Sequence, residues 1–189
     1  MTGILKVDTI QSSSGNNAVT IASDGKVTGS VNDSRQCVQV FMRTSGVSGN
    51  QNPVPGLVDA ATQLSANGAG KITRGGSVTE SSGLFSFPFT GLWSVEYYTT
   101  INPAGQDDTI QVDIKATLNG TNFSKLAQAK GGAGSSGRKE VITLKTLFKV
   151  SDTTNNKIKF QHSSNSGSAE GQTDVAMTYA IFTWLGDAD

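Results

Sequence analysis

From Phe85 to Tyr97 the chain places an apolar or aromatic residue at every second position. Phe85, Phe87 and Phe89 come first; after Gly91 follow Trp93, Val95 and Tyr97. A period of two is the side-chain period of extended chain, so all six fall on one face. Gly91 separates the two halves of the run, at a point where a strand can bend or restart without a side-chain penalty. The stretch predicts two consecutive strands that feed one aromatic-rich core. Six of the thirteen Phe, Trp and Tyr residues lie between Phe85 and Tyr98, so the core has to be organised around this segment.

The rest of the chain is patterned for short strands. Gln36–Arg43 alternates, with Val38, Val40 and Met42 on one face. Further strands are predicted at Ile110–Leu118, Glu140–Val150, Lys157–His162 and Asp174–Leu185, and Asn119-Gly120 is a hairpin signal. Residues 45–55, 131–137 and 163–168 are rich in Gly, Ser, Asn or Pro and read as loops. Asp59–Leu64 is a short helix candidate. Several short strands between frequent turns argue for an all-β class, an antiparallel sandwich or jelly roll.

Residues 1–34 read differently. Ile4–Ile10, Ala18–Ile21 and Lys26–Thr28 are short strand candidates, with a Ser/Asn/Gly loop and an Asp24-Gly25 turn between them. This short extended or β-hairpin arm has few large apolar residues and should be stable only when packed on copies of itself or on a partner. The expected organisation is an attachment arm at 1–34 and a head domain at 35–189.

Length and charge narrow the function classes. The chain has 189 residues, enough for one domain with a real core plus an extension. Its formal net charge is zero, and 16% of residues are charged, below the usual value of about 25%. A neutral chain has no general electrostatic reason to bind nucleic acid or an anionic membrane. No run is long and apolar enough to cross a bilayer as a helix, and Met1–Lys6 lacks the apolar core of a signal peptide. The single cysteine, Cys37, permits no intrachain disulfide, which points to folding in a reducing cytosol.

The residues that could carry chemistry are few. Any Ser-His-Asp or Cys-His arrangement must use His162, the one histidine, which reads as an exposed strand-end residue. Cys37 reads as a small core or interface residue. Gly132–Gly137 matches G-x-G-x-x-G, but a β-branched segment and not a helix follows, so the phosphate-binding context is missing. Asp107, Asp108 and Asp113 could offer oxygen ligands, yet they lack the spacing of a calcium loop. Glu80, Glu96, Glu140 and Glu170 show no pairing suited to acid–base cleavage of a sugar. The Asn32, Asn119 and Asn122 sequons are expected by chance in a chain so rich in Asn, Ser and Thr. No enzyme activity, metal or cofactor is expected. Phe41, Trp93 and Trp184 are candidates by type for a glycan-binding patch, although Trp93 and Trp184 lie in alternating segments that favour core or subunit-interface burial.

Two segments resemble known families. Phe85-x5-Gly91-x-Trp93-x-Val95-x-Tyr97 is similar to the F-x5-G-x-Y-x-F-x-[FY] motif of the complement-type globular head, a relative of the tumour necrosis factor jelly roll, and Tyr179–Leu185 resembles that family's last strand. The resemblance spans roughly residues 35–189 and implies a homotrimer, with Phe85, Phe87, Phe89, Trp93, Tyr97 and Trp184 as its trimer or core aromatics. The N-terminal Ile-Leu-Lys-Val-Asp-Thr-Ile-Gln and the later Val-Thr-Ile-x-x-Asp-Gly-Lys-Val-Thr resemble the N-terminal segment of structural proteins of tailed bacteriophages. That resemblance implies virion attachment through Ile4, Leu5, Val7 and Ile10. Together they imply a non-enzymatic virion protein made in the host bacterial cytoplasm, a capsid decoration, head fibre or small tail fibre. Its partners would be itself and other capsid or tail proteins. The second reading is a receptor- or glycan-binding tip on the same scaffold, with a host-surface glycan as partner.

Overall fold

A computed structural model describes residues 9–11, 17–21, 27–28, 37–60, 73–102, 109–132, 139–164, 167–171 and 177–188. The chain divides into two compact units, Met1–Ser34 and Arg35–Asp189. In the first, β1 (Thr9–Gln11), β2 (Asn17–Ile21) and β3 (Val27–Thr28) form a three-stranded antiparallel sheet in that order. Ile10 lies opposite Val19, and Ile21 opposite Val27. Ile4, Leu5, Val7 and the Asp24-Gly25 turn lie outside the described residues.

The second unit is built from β4 (Cys37–Arg43), β5 (Val47–Ser48), β6 (Leu57–Asp59), β7 (Thr73–Gly75), β8 (Thr79–Ser81), β9 (Leu84–Ser86) and β10 (Gly91–Asn102). It continues with β11 (Ile110–Thr117), β12 (Ser124–Gly131), β13 (Glu140–Val150), β14 (Lys157–Ser163), β15 (Ser168–Ala169) and β16 (Tyr179–Gly186). Two antiparallel sheets result. The larger has β13, β10, β16 and β4 side by side, with β6 and β7 on the far side of β4, while the short β15 pairs with the last residues of β10 and β5 pairs with β15. The smaller runs β12-β11-β14-β9-β8. The alternating pattern predicts such a sandwich, and its jelly-roll form is the one that the resemblance implies. The helix candidate at 59–64 begins on the last residue of β6 and passes, after Ala60, outside the described residues.

The aromatic run explains how the two sheets are joined. Phe85 sits in β9 of the small sheet, whereas Trp93, Val95 and Tyr97 sit in β10 of the large sheet. Residues 87–90 carry the chain across, and the parity of two is kept, so both halves face the same interior. Phe85, Phe87, Trp93, Val95 and Tyr97 are all buried, and Phe89 packs partly buried against the same cluster. Phe85 is in ring contact with Phe41, Phe160 and Phe182 at 5.0, 5.3 and 5.0 Å, which draws β4, β14 and β16 onto one side chain. Tyr97 stacks on Phe160 across the sandwich at 4.2 Å. Each such pair contributes roughly 0.5–1.5 kcal/mol beyond the area it buries.

Gly91 opens β10 with φ of 129°, a left-handed value that side chains rarely adopt. A Cβ there would lie 2.4 Å from both the Gly186 carbonyl oxygen and Trp184 Nε1. The β10–β16 register slips at this point, Leu92 facing Gly186 and Trp93 facing Trp184. The glycine therefore lets two strands close at the bulge where the aromatic run changes sheets. Gly91→Ala should lower stability by about 2–4 kcal/mol, because it combines backbone strain with overpacking against backbone. An unchanged urea unfolding midpoint would show that the turn relaxes freely.

Candidate functional site

The one histidine is buried, which corrects the expectation of an exposed strand end: His162 is 3% exposed. Parity explains it. Ile158, Phe160 and His162 alternate on β14 and all face inward. Gln51 then closes over the strand, exchanging two backbone hydrogen bonds with His162 at 2.8 and 3.0 Å. Inside, the Tyr97 hydroxyl and His162 Nε2 are hydrogen-bonded at 2.9 Å. The buried Arg43 guanidinium donates to the carbonyls of Ser45 (3.0 Å from Nε) and Pro55, so a cation ties down the loop between β4 and β6.

This polar centre cannot run acid–base or nucleophilic chemistry on an outside substrate. Burial first, and then the charge of Arg43, lower His162 to about 4, so its imidazole is neutral at ordinary pH. Burial likewise pushes the Tyr97 phenol above its usual range. Cys37 is also buried, donates its S–H to the Gly76 carbonyl at 2.9 Å, and is pushed by desolvation to about 11, which leaves an unreactive thiol.

The carboxylates do not converge either. Glu96 accepts from Lys145 Nζ and the Tyr98 hydroxyl, both at 2.7 Å, and these bonds hold it below the usual carboxylate range. Glu170 pairs with Lys139, and Glu80 accepts from the Gly83 amide. Asp113 is buried in β11, paired with Lys125 at 3.3 Å, and Asp107 and Asp108 lie outside the described residues. Among the described residues no three His, Cys, Asp or Glu side chains come together as a metal site.

What the second unit does present is surface. The sequence-predicted aromatics Phe85, Phe87, Trp93 and Tyr97 are interior to a single chain, as is Phe41, while Phe89 and Trp184 meet at its rim, 5.4 Å apart. The outward face of the large sheet carries the opposite parity of the same strands. Val38, Val58, Leu185, Leu147 and Val141 are 38, 38, 53, 56 and 68% exposed. Half-buried Ile181 and the stacked pair Tyr98–Tyr179, 4.5 Å apart, lie on the same face. An apolar groove of about 640 Å³ runs between β12 and β13, floored by Ala116 and Phe148 and walled by Leu118, Leu126 and Leu147. β12 and β13 each have one strand neighbour among the described residues, so the groove lies beside two open sheet edges. Sequence reasoning missed Leu118, Leu126, Val141 and Leu147. The available signal was that Val141 and Leu147 have the parity opposite to buried Ile142, Leu144 and Phe148.

No family model and no curated protein matches the chain. Solved structures do. The Eiger TNF of S. frugiperda covers 82% of this chain and 96% of its own, at 12% identity and a TM-score of 0.61. Murine APRIL at pH 5.0 covers 79% and 99%, at 11% identity and a TM-score of 0.58. At these identities the likeness is one of fold: the sandwich is a jelly roll of the tumour necrosis factor type.

The buried histidine gives stability a definite pH dependence. The unfolded chain takes up a proton at the ordinary value of 6.5 and the folded chain only near 4. Between those values the unfolded state binds more protons, so stability is complete above about 6.5 and falls as pH drops toward 4. The loss should be on the order of 3 kcal/mol. His162→Gln should flatten this slope in urea melts at pH 7, 5.5 and 4.5; an equally steep slope in the variant would assign the effect elsewhere.

Proposed function

We propose that this chain is a non-enzymatic structural protein of a tailed-phage virion, an outward-projecting homotrimer anchored by residues 1–34. The observation that carries the self-association is the set of exposed aliphatics Val38, Val58, Val141, Leu147 and Leu185 on the outward face of the large sheet, where Val40 and Met42 are already covered within the chain, together with the β12–β13 groove. Monomeric proteins seldom leave so many aliphatic side chains in water on one face, whereas subunit interfaces cover them. The complement-type and tumour necrosis factor resemblance supplies the number three. The phage assignment rests on the N-terminal resemblance and on the small sheet β1–β3, whose few short strands call for packing on a partner. As a capsid decoration, head fibre or small tail fibre, the protein would be made in the bacterial cytoplasm and would act at the virion surface.

A second reading, a receptor- or glycan-binding tip on the same scaffold, is favoured by the polar, lysine-bearing outer face of the small sheet. An enzyme is disfavoured by the sealed His162 and Cys37 and by the dispersed carboxylates.

Mass in solution tests the proposal. The full chain should sediment at three times its chain mass. Leu147→Glu and Leu126→Glu, at exposed positions, should yield folded monomers, since a buried interface charge without a partner is expelled. Trimers in both variants would remove the groove from the interface. Detection of the chain by mass spectrometry of purified virions is expected, and its absence would end the virion reading.

A further inference from the structure

Zero net charge hides a segregation of charge. On β11, β12 and β14 the core-facing parity is Ile110, Val112, Ile114, Ile158 and Phe160, so the intervening residues project from the small sheet's outer face. Lys115 lies directly opposite Lys125 on one side and Lys159 on the other, a row of three like charges across three strands. Lys157 occupies the next outward position of β14, opposite Thr117, whereas Lys130 lies toward the other end of the sheet, opposite Gln111. Among the described residues of these three strands, Asp113 is the only carboxylate facing outward, and it is paired with Lys125.

Like charges directly opposite one another destabilise a sheet. Burial first, and then the charge of Lys115, lower the Lys159 ammonium from its ordinary value. A sheet with no use for the row would gain by placing Glu or Thr in the central position. Adjacent strands lie about 4.8 Å apart, so the amines form a ladder that a chain of anionic groups can neutralise together.

We propose that the outer face of the small sheet binds an acidic polysaccharide, one whose sugars carry sulfate, carboxylate or phosphate. Three features select this class. The cations are lysines, point charges without the fork that reads phosphodiester geometry, and the one aromatic there, Phe123, is capped by Lys159 Nζ at 4.2 Å from its ring centre and offers no base-stacking platform. No large aliphatic side chain projects outward from β11 or β14 to enter a lipid surface, and exposed Leu126 of β12 sits at the register slip and lines the groove beside β13. Between the lysines stands exposed Gln128, whose amide offers both donors and acceptors to sugar hydroxyls, while the amides of Gln111 and Gln161 donate to Asp113 and Ser163. The inference deepens the glycan-binding reading and rests on it. The trimer and virion measurements test the structural reading separately, so either can fail alone.

The full chain is titrated with dextran sulfate, with polygalacturonate, with uncharged dextran, with duplex DNA of matched charge, and with phosphatidylglycerol vesicles. Saturable, salt-sensitive binding to the two acidic polysaccharides is expected, with none to dextran. The double variant Lys115→Gln/Lys159→Gln should weaken it tenfold or more and melt no lower than the native chain, because the like-charge row is relieved. Lys157→Gln/Lys159→Gln, at adjacent outward positions of β14, should show the same loss and serves if the first pair fails to fold. Lys145→Gln, on the other sheet, should change nothing. Absence of binding, binding indifferent to both double variants, or equally tight binding of DNA or vesicles would each overturn the assignment.

Discussion

The contact of Phe85 with Phe41, Phe160 and Phe182 is the constraint on which the rest of the sandwich depends. One ring, delivered by a three-residue strand of the small sheet, meets rings from both sheets. Tyr97, from the next strand in sequence, repeats the closure against Phe160. Because the alternation survives the crossing at residues 87–90, the chain commits successive strands to opposite layers while keeping one interior. The close approach at Gly91 is the local condition for that crossing, and it sets the bulge in the β10–β16 pairing.

Packing of this kind leaves the two outward faces free to diverge. The large sheet turns aliphatic side chains and a stacked tyrosine pair to the outside. The small sheet turns out lysines and glutamines. The first composition suits burial against protein and the second suits a hydrated anionic ligand. A two-layer sandwich with such unlike faces can assemble through one layer and bind through the other. The interior polar centre of Arg43, Tyr97 and His162 belongs to neither function; it fastens the β4–β6 loop and Gln51 onto the sandwich.

Much of the fold was legible because burial on a strand has a simple period. Strands do form within Gln36–Arg43, Phe85–Tyr97, Ile110–Leu118, Glu140–Val150 and Lys157–His162, and Phe85, Phe87, Trp93, Val95 and Tyr97 share one interior as expected; on β4, Val38, Val40 and Met42 share a face as expected, but it is the outward one. Asn119-Gly120 does link β11 to β12. His162 shares the inward parity of Ile158 and Phe160, which was legible; what the sequence did not report is that Gln51, more than a hundred residues earlier, pairs with its backbone, so that the strand does not end in solvent there. The lysine row was illegible for a similar reason: Lys115, Lys125 and Lys159 are scattered in sequence and become neighbours only through strand register.

The sequence by itself determined the class of fold and the aromatic heart of the core, since a period of two and the scarcity of aromatics leave few other ways to bury Phe85 through Tyr97. Only the tertiary structure decided which outward faces exist and what each is made of. Parity says which side of a strand a residue occupies, but strand order and register, set by contacts between distant segments, decide which residues share a surface.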